Sequence, residues 1–381
     1  MGCTRQSEAA PDAGVPGARA LGDASVPEGP PPPLDAARGD APREPVPTEV
    51  AAIERGEEGS RLVVIDVQAQ RVRRAGPWEP DLGSPGWSPD GAHLVYRRGS
   101  ELLQALDGQP AHGLVKGIPM PADAPAYVFH PDSTEVTVVL QATVERIPLE
   151  RPGAVGMRPG KVPLPSGCLP FDALWRPDGR TLDVLCNAAS GSESPQVKHV
   201  RFDARVGKMV SRQVRGVHRL VGWDREHGLL AAGPVETGAG ERIGALGDAG
   251  MLRPLRPPPD EAEAPGEYIQ GYLPSRRWFA SVQSGEDSSD PVVLSLSPLG
   301  SGAARRWLTG FPRLADLSLR AFGGWVAFID HAPGFASGGE AGGDVYLVLA
   351  GSEDARLVLR SRPEAGVFYR SPTPRPSPAA R

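Results

Sequence analysis

The chain of 381 residues carries 47 Gly, 43 Pro and a formal net charge of −5. So much Pro and Gly excludes an architecture of long helices and calls for many turns, and the acidic balance excludes a general nucleic-acid binder. No apolar run approaches the roughly 18 residues of a membrane-spanning helix, and the sequence as given presents no secretory signal peptide.

Lysine occurs only at 116, 161, 198 and 208, so nearly all of the 41 basic residues are Arg. With the Ala, Gly and Pro excess, this is the composition of a high-GC bacterial genome. Residues 1–46 are Ala, Pro, Gly and charge without periodic apolar positions, and a disordered tether is expected there. Met1-Gly2-Cys3 heads this stretch. A Cys ahead of a long polar linker resembles the start of a mature bacterial lipoprotein, with Cys3 as the lipid attachment residue. The upstream apolar segment of such a leader is missing from the chain as given, so this reading puts the start codon further upstream. The alternative is an unmodified tail.

From residue 49 the pattern changes to short apolar runs between turns. Segments 50–54, 61–67 and 71–74 read as three strands. A turn motif then recurs. Trp87-Ser88-Pro89-Asp90-Gly91 is its fullest copy, Phe129-His130-Pro131-Asp132-Ser133 a second, and Trp175-Arg176-Pro177-Asp178-Gly179 a third. Worn copies begin at Trp223 and Tyr272. The aromatic positions are 42, 46, 48 and 49 residues apart. Pro presets φ for a type I turn, Asp suits the next position, and Gly accepts positive φ, so each copy marks a β-hairpin. Four strands fit each unit: repeats cover about 81–115, 122–164, 168–214, 217–256, 266–309 and 313–360. A last strand is expected at 366–370, then a Pro-rich tail over 373–381.

Four strands per unit of 40 to 50 residues is the pattern of a β-propeller blade. The aromatic-Ser-Pro-Asp-Gly turn resembles the TolB-like, WD-type propeller repeats, and the resemblance covers about 48–372. It implies an all-β propeller domain over 47–372 and carries no activity. The three N-terminal strands plus the one at 366–370 make a seventh blade closed by both chain ends, which removes an open sheet edge. Six blades is the alternative.

Cys168 and Cys186 lie on the two strands flanking the third turn. With Trp175 set opposite Arg180, Cys168 faces residue 187. That is one position from Cys186 and close enough for a disulfide, which implies an oxidising compartment. The seven histidines show no metal spacing, and His130 holds a turn position expected to be solvated. Ser88 stands two residues before Asp90, where a nucleophile elbow needs Gly. Gly238-Ala239-Gly240 followed by Gly244 lies in no βαβ unit, so no cofactor is expected. Connections between second and third strands lengthen at 187–195, 235–241, 284–291 and 330–343. They bring Glu193, Glu236, Glu241, Glu286, Asp287, Asp290 and Glu340 to one rim, a candidate acidic lip.

The sequence therefore points to a monomeric, non-catalytic propeller that holds a protein or peptide. Its expected place is the cell envelope, as a periplasmic protein or outer-membrane lipoprotein, with the cytoplasm as alternative. The competing function is a propeller hydrolase or lyase with its site at the central channel.

Overall fold

The computed structural model describes residues 45–56, 58–105, 110–118, 127–140, 142–149, 160–188, 196–235, 240–256, 267–283, 292–300, 302, 304–309, 317–319, 324–330, 344–352 and 355–359. All of them belong to the unit Pro42–Arg381. Cys3, residues 1–44 of the expected tether, the tail at 373–381 and the strand expected at 366–370 lie outside the described residues.

The described chain is a succession of antiparallel sheets. The first three strands are β1 (Glu49–Gly56), β2 (Gly59–Asp66) and β3 (Arg71–Ala75). Blade one follows with β4 (Leu82–Trp87), β5 (Leu94–Arg98), β6 (Glu101–Ala105) and β7 (His112–Lys116). Blade two has β8 (Tyr127–Phe129), β9 (Glu135–Val139), β10 (Val144–Pro148) and β11 (Gly160–Val162). Blade three has β12 (Cys168–Trp175), β13 (Thr181–Ala188), β14 (Val197–Asp203) and β15 (Lys208–Val214). Blade four has β16 (Arg219–Asp224), β17 (Gly228–Pro234), β18 (Glu241–Leu246) and β19 (Leu252–Pro254). Blade five has β20 (Glu267–Leu273), β21 (Trp278–Gln283), β22 (Val292–Pro298) and β23 (Arg305–Thr309). Then come β24 (Leu317–Leu319), β25 (Trp325–Asp330), β26 (Asp344–Leu349) and β27 (Ala355–Leu359).

Among the described residues six sheets have four strands, and a further sheet, β25-β26-β27, has three. The expected pairing of the three N-terminal strands with 366–370 is replaced by another. The strand that completes the N-terminal sheet is β24, with Val50 opposite Leu319 and Ala52 opposite Leu317. The sequence signal was misleading because 317–319 and 366–370 are both short apolar segments, and only pairing distinguishes them.

The core lies between neighbouring sheets, so most second and third strands are buried on both faces. This explains why they read as continuous apolar runs rather than alternating ones. In β13, Leu182, Val184 and Cys186 join Val139 and Val144 of blade two, while Leu185 joins Leu229 and Ala231 of blade four. Tyr346 and Phe328 stack at 5.4 Å and pack with Leu294 and Leu296 of blade five.

The hairpins follow the turn chemistry with two extra residues. Arg176 N donates to Thr181 O, so Trp175 pairs with Leu182 and not Arg180. Gly179 takes φ 63°, and in blade two Ser133 holds the same position at φ 63°. The innermost strands are irregular between Gly83 and Gly86, Pro170 and Asp172, Leu220 and Gly222, and Ile269 and Gly271. Such bulges bend a strand and swing its side chains. The bulge in β12 also corrects the cysteine register. Cys168 lies opposite Ala188 and Cys186 opposite Pro170, a diagonal pair on one sheet face with Cα atoms 5.2 Å apart, and the disulfide Cys168–Cys186 joins them. In a chain made without lipid on Cys3, an alkylating reagent under non-reducing conditions should therefore label one thiol, that of Cys3, after denaturation, and all three after reduction. Labelling of all three without reductant would contradict the bridge.

Candidate functional site

The turn residues singled out by the repeat close their own turns, and at Asp90 and Gly179 the turn also meets a neighbouring blade. Asp90 accepts from Ser88 Oγ at 2.6 Å and from Ala92 N at 2.9 Å, and its own N–H donates to Ser133 Oγ of blade two at 3.0 Å. Burial pushes its carboxyl up, but these hydrogen bonds and nearby His93 leave it below the ordinary value. Asp132 accepts from Thr134 N and Oγ1, and Asp178 from Arg180 N, each closing its own turn. Pro89, Gly91, Pro131 and Pro177 shape those turns.

The aromatic position grips the preceding blade. Tyr127 donates to Ser84 O at 2.6 Å, and Trp175 Nε1 donates to Thr137 Oγ1 at 2.8 Å. Tyr272 donates to Asp224 Oδ2 at 2.7 Å. Phe129, the predicted aromatic of blade two, packs edge-on against Tyr127 at 5.8 Å instead, so the gripping residue stands two places earlier. Trp87 is buried against Ala51 and Val64 of the N-terminal sheet, so it too reaches back.

Histidine 130 is not a solvated turn residue. Its ring is half-buried edge-on to Trp175 at 4.6 Å, with Nδ1 2.5 Å from Asp132 and Nε2 2.8 Å from Gly179 O of blade three. The Gly179 carbonyl can only accept, so Nε2 carries a proton and donates to it. The close passage also fixes glycine at 179, because a Cβ there meets His130 Cε1 at 2.8 Å.

Of the seven acids of the expected lip, Glu241 alone lies within the described residues. It is not a free rim carboxylate. It accepts from Arg219 Nη2 at 3.0 Å and from Ile269 N of blade five at 3.0 Å, tying the two innermost strands together. Glu193, Glu236, Glu286, Asp287, Asp290 and Glu340 lie outside the described residues.

Three polar groups were not singled out from the sequence. Asp224 receives Tyr272, Arg277 Nε at 3.0 Å and the N–H groups of Glu226 and His227. Burial alone raises its carboxyl, and those bonds bring it down to about 2. Asp224, Glu226 and His227 cluster tightly enough to hold a cation, but Arg277 pairs with both carboxylates and supplies the positive charge. Between blades three and four, Asp183 is fully buried with His199, Arg176, Arg201 and Arg212 around it.

Asp172, at the β12 bulge, accepts from Leu220 N of blade four at 2.5 Å and from Ala173 N at 2.8 Å. Burial raises its carboxyl to about 6 despite those bonds and Arg219. The folded state thus keeps a proton that the unfolded chain releases near pH 4, so stability falls as pH rises from about 4 to about 6. Asp172→Asn keeps an acceptor for both N–H groups and should flatten the urea midpoint across that window. An unchanged pH dependence would exclude Asp172 as its source.

These contacts share a signature legible in retrospect. The polar pairs Tyr127–Ser84, Ser133–Asp90, Tyr272–Asp224, Leu220–Asp172, His130–Gly179 and Arg277–Asp224 are separated by 43, 43, 48, 48, 49 and 53 residues, about one repeat. A donor and an acceptor one period apart are therefore candidates for a blade-to-blade bond.

Consecutive sheets joined this way, with β1 closed by β24, define a β-propeller of four-stranded blades. No family model and no curated protein matches the sequence. Among solved structures the chain is similar to the β-propeller domain of the Trilobed protease from Pyrococcus furiosus, with an open velcro topology. The TM-score is 0.55 at 12% identity, covering 82% of this chain and 94% of that one. It is also similar to a puromycin hydrolase S511A mutant complexed with PGG, with TM-score 0.54 and 16% identity, covering 88% of this chain and 56% of that one. The chain thus spans little more than half of that hydrolase. A putative TolB from Agrobacterium tumefaciens gives a TM-score of 0.46 at 16% identity, covering 68% of this chain and 88% of that one. At these identities the likeness is one of fold.

Proposed function

We propose that this propeller is a binding scaffold without chemistry of its own, working in the bacterial cell envelope and holding a protein or peptide partner. The observation that carries this reading is the employment of its polar side chains. Among the described residues, His130, His199, Asp183, Asp224 and Glu241 are groups that could serve as an acid, base or metal ligand. Each is fixed in or between blades by hydrogen bonds, and the carboxylates by charge-assisted ones. The buried disulfide supports an oxidising compartment, in keeping with the envelope. The Cys3 lipid anchor belongs to the same reading and gives the propeller its tether.

The test is capture from an envelope extract by the purified full chain, followed by a melting curve with the captured component. A partner that binds the folded state raises the melting temperature. Neither capture nor a shift, in repeated extracts, would overturn the scaffold reading.

A further inference from the structure

The outer edge of blade three differs from the other outer strands. The strand order β12-β13-β14-β15 leaves β15 with one unpaired edge. With seven residues it is the longest outermost strand among the described residues, where β3, β7, β23 and β27 have five and β11 and β19 three. Its far end is closed off: Arg215 N donates to Gly250 O of blade four. Gly250 also lies against the Gln213 carbonyl, so the open run is 208–212, roughly 16 Å of extended chain.

Charge is concentrated at this edge. Residues 196–216 hold Lys198, Arg201, Arg205, Lys208, Arg212 and Arg215 against the single acid Asp203, in a chain whose net charge is −5. Asp203 is occupied in the turn, accepting from Arg205 N and Val206 N. Asp183, buried, and Asp248, fully exposed 3.5 Å from Arg212, are the acids that approach this group. Burial and then Arg201 disfavour charge on Arg212, while Asp248 and Asp183 favour it; six cations stand against these few acids. Two of the four lysines lie here. By contrast, Lys116 and Lys161 each sit beside a glutamate on their own sheets. β3 is basic too, but it is shorter and its Arg73 is paired with Glu49.

The third feature is apolar exposure. Val206 and Val210 are 67% and 56% exposed. Strand alternation puts Lys208, Val210 and Arg212 on one face, with Val210 opposite Arg201 of β14.

We infer that the β15 edge receives an extended acidic segment of a partner protein as an added strand. Its backbone would pair along 208–212, and an acidic–x–apolar–x–acidic pattern would face Lys208, Val210 and Arg212. This assigns a partner class to the scaffold proposed above and rests on that reading. An exposed edge of this length is otherwise a template for unwanted association, and charge selects which strand is admitted.

The test uses the full chain and a labelled peptide, Ser-Glu-Thr-Val-Thr-Glu-Ser, by fluorescence anisotropy in about 50 mM salt, where screening is weak. Binding is expected, weakened at least tenfold by Lys208→Glu with Val210→Glu. Both positions are exposed, so the variant should melt with the wild type. A peptide N-methylated at alternate residues keeps its charges and loses backbone donors, and it should not bind. No binding, equal binding by the variant, or equal binding of the N-methylated peptide each overturns strand addition. Envelope capture with the same variant separates the two readings: capture retained without peptide binding removes this edge and leaves the scaffold.

Discussion

Trp175→Ala is expected to lower the stability of the propeller by roughly 3–5 kcal/mol, the range for truncating a large buried aromatic. Trp175 is 4% exposed and ends the innermost strand of blade three, and it reaches into blade two. Its indole N–H bonds Thr137 Oγ1, the Arg146 guanidinium lies 5.5 Å from its ring, and the His130 ring meets it edge-on. The deletion leaves a cavity between two sheets and an unsatisfied Thr137 hydroxyl. Thr137→Val provides the scale, since it removes the hydrogen bond alone and should cost about 1 kcal/mol. Urea midpoints for both variants decide the matter. A loss below about 1 kcal/mol for Trp175→Ala would mean that the repeated aromatic marks the turn without anchoring one blade to the next.

This expectation marks how far the sequence reaches. The hairpin turns were legible because Pro, Asp and Gly act through their own backbone, and a local rule needs no knowledge of neighbours. The disulfide was legible for a related reason, as a hairpin fixes register within a residue or two, and the β12 bulge changed the geometry without undoing the pairing. Closure was a different problem. Choosing 317–319 over 366–370 as the strand beside β1 depends on a contact across more than 260 residues, on which local pattern is silent. The same limit applies to His130, Glu241 and Asp183. Each looked like a turn, rim or strand residue along the chain, and each is defined by what the adjacent strand or blade presents to it.

Asp183→Asn should be as damaging as the tryptophan deletion, also by roughly 3–5 kcal/mol, because removing one member of a buried ion cluster leaves the others uncompensated. The hydrogen bonds run in one direction. Arg212 Nε donates to His199 Nδ1, so His199 is the neutral tautomer with its proton on Nε2, and Nε2 donates to Asp183 Oδ1 at 2.8 Å. Arg176 donates to the same carboxylate through Nε at 2.8 Å and Nη2 at 3.2 Å while lying over the Trp223 ring of blade four at 4.2 Å. Burial alone pushes the Asp183 carboxyl up, but His199 and Arg176 outweigh it and hold the group below the ordinary value. A depressed carboxylate contributes stability that is complete above the unfolded value near pH 4 and is lost as pH falls below it. The wild type should therefore lose stability more steeply than Asp183→Asn on acidification below about pH 4, so the difference between them narrows there. Arg176→Met supplies the cycle. If the carboxylate acts through the guanidinium, the double variant with Asp183→Asn should be less damaged than the sum of the singles by more than about 1 kcal/mol. Additive losses would instead make Asp183 the partner of His199 and leave Arg176 held chiefly by Trp223, a junction of blades three and four made by packing rather than by charge.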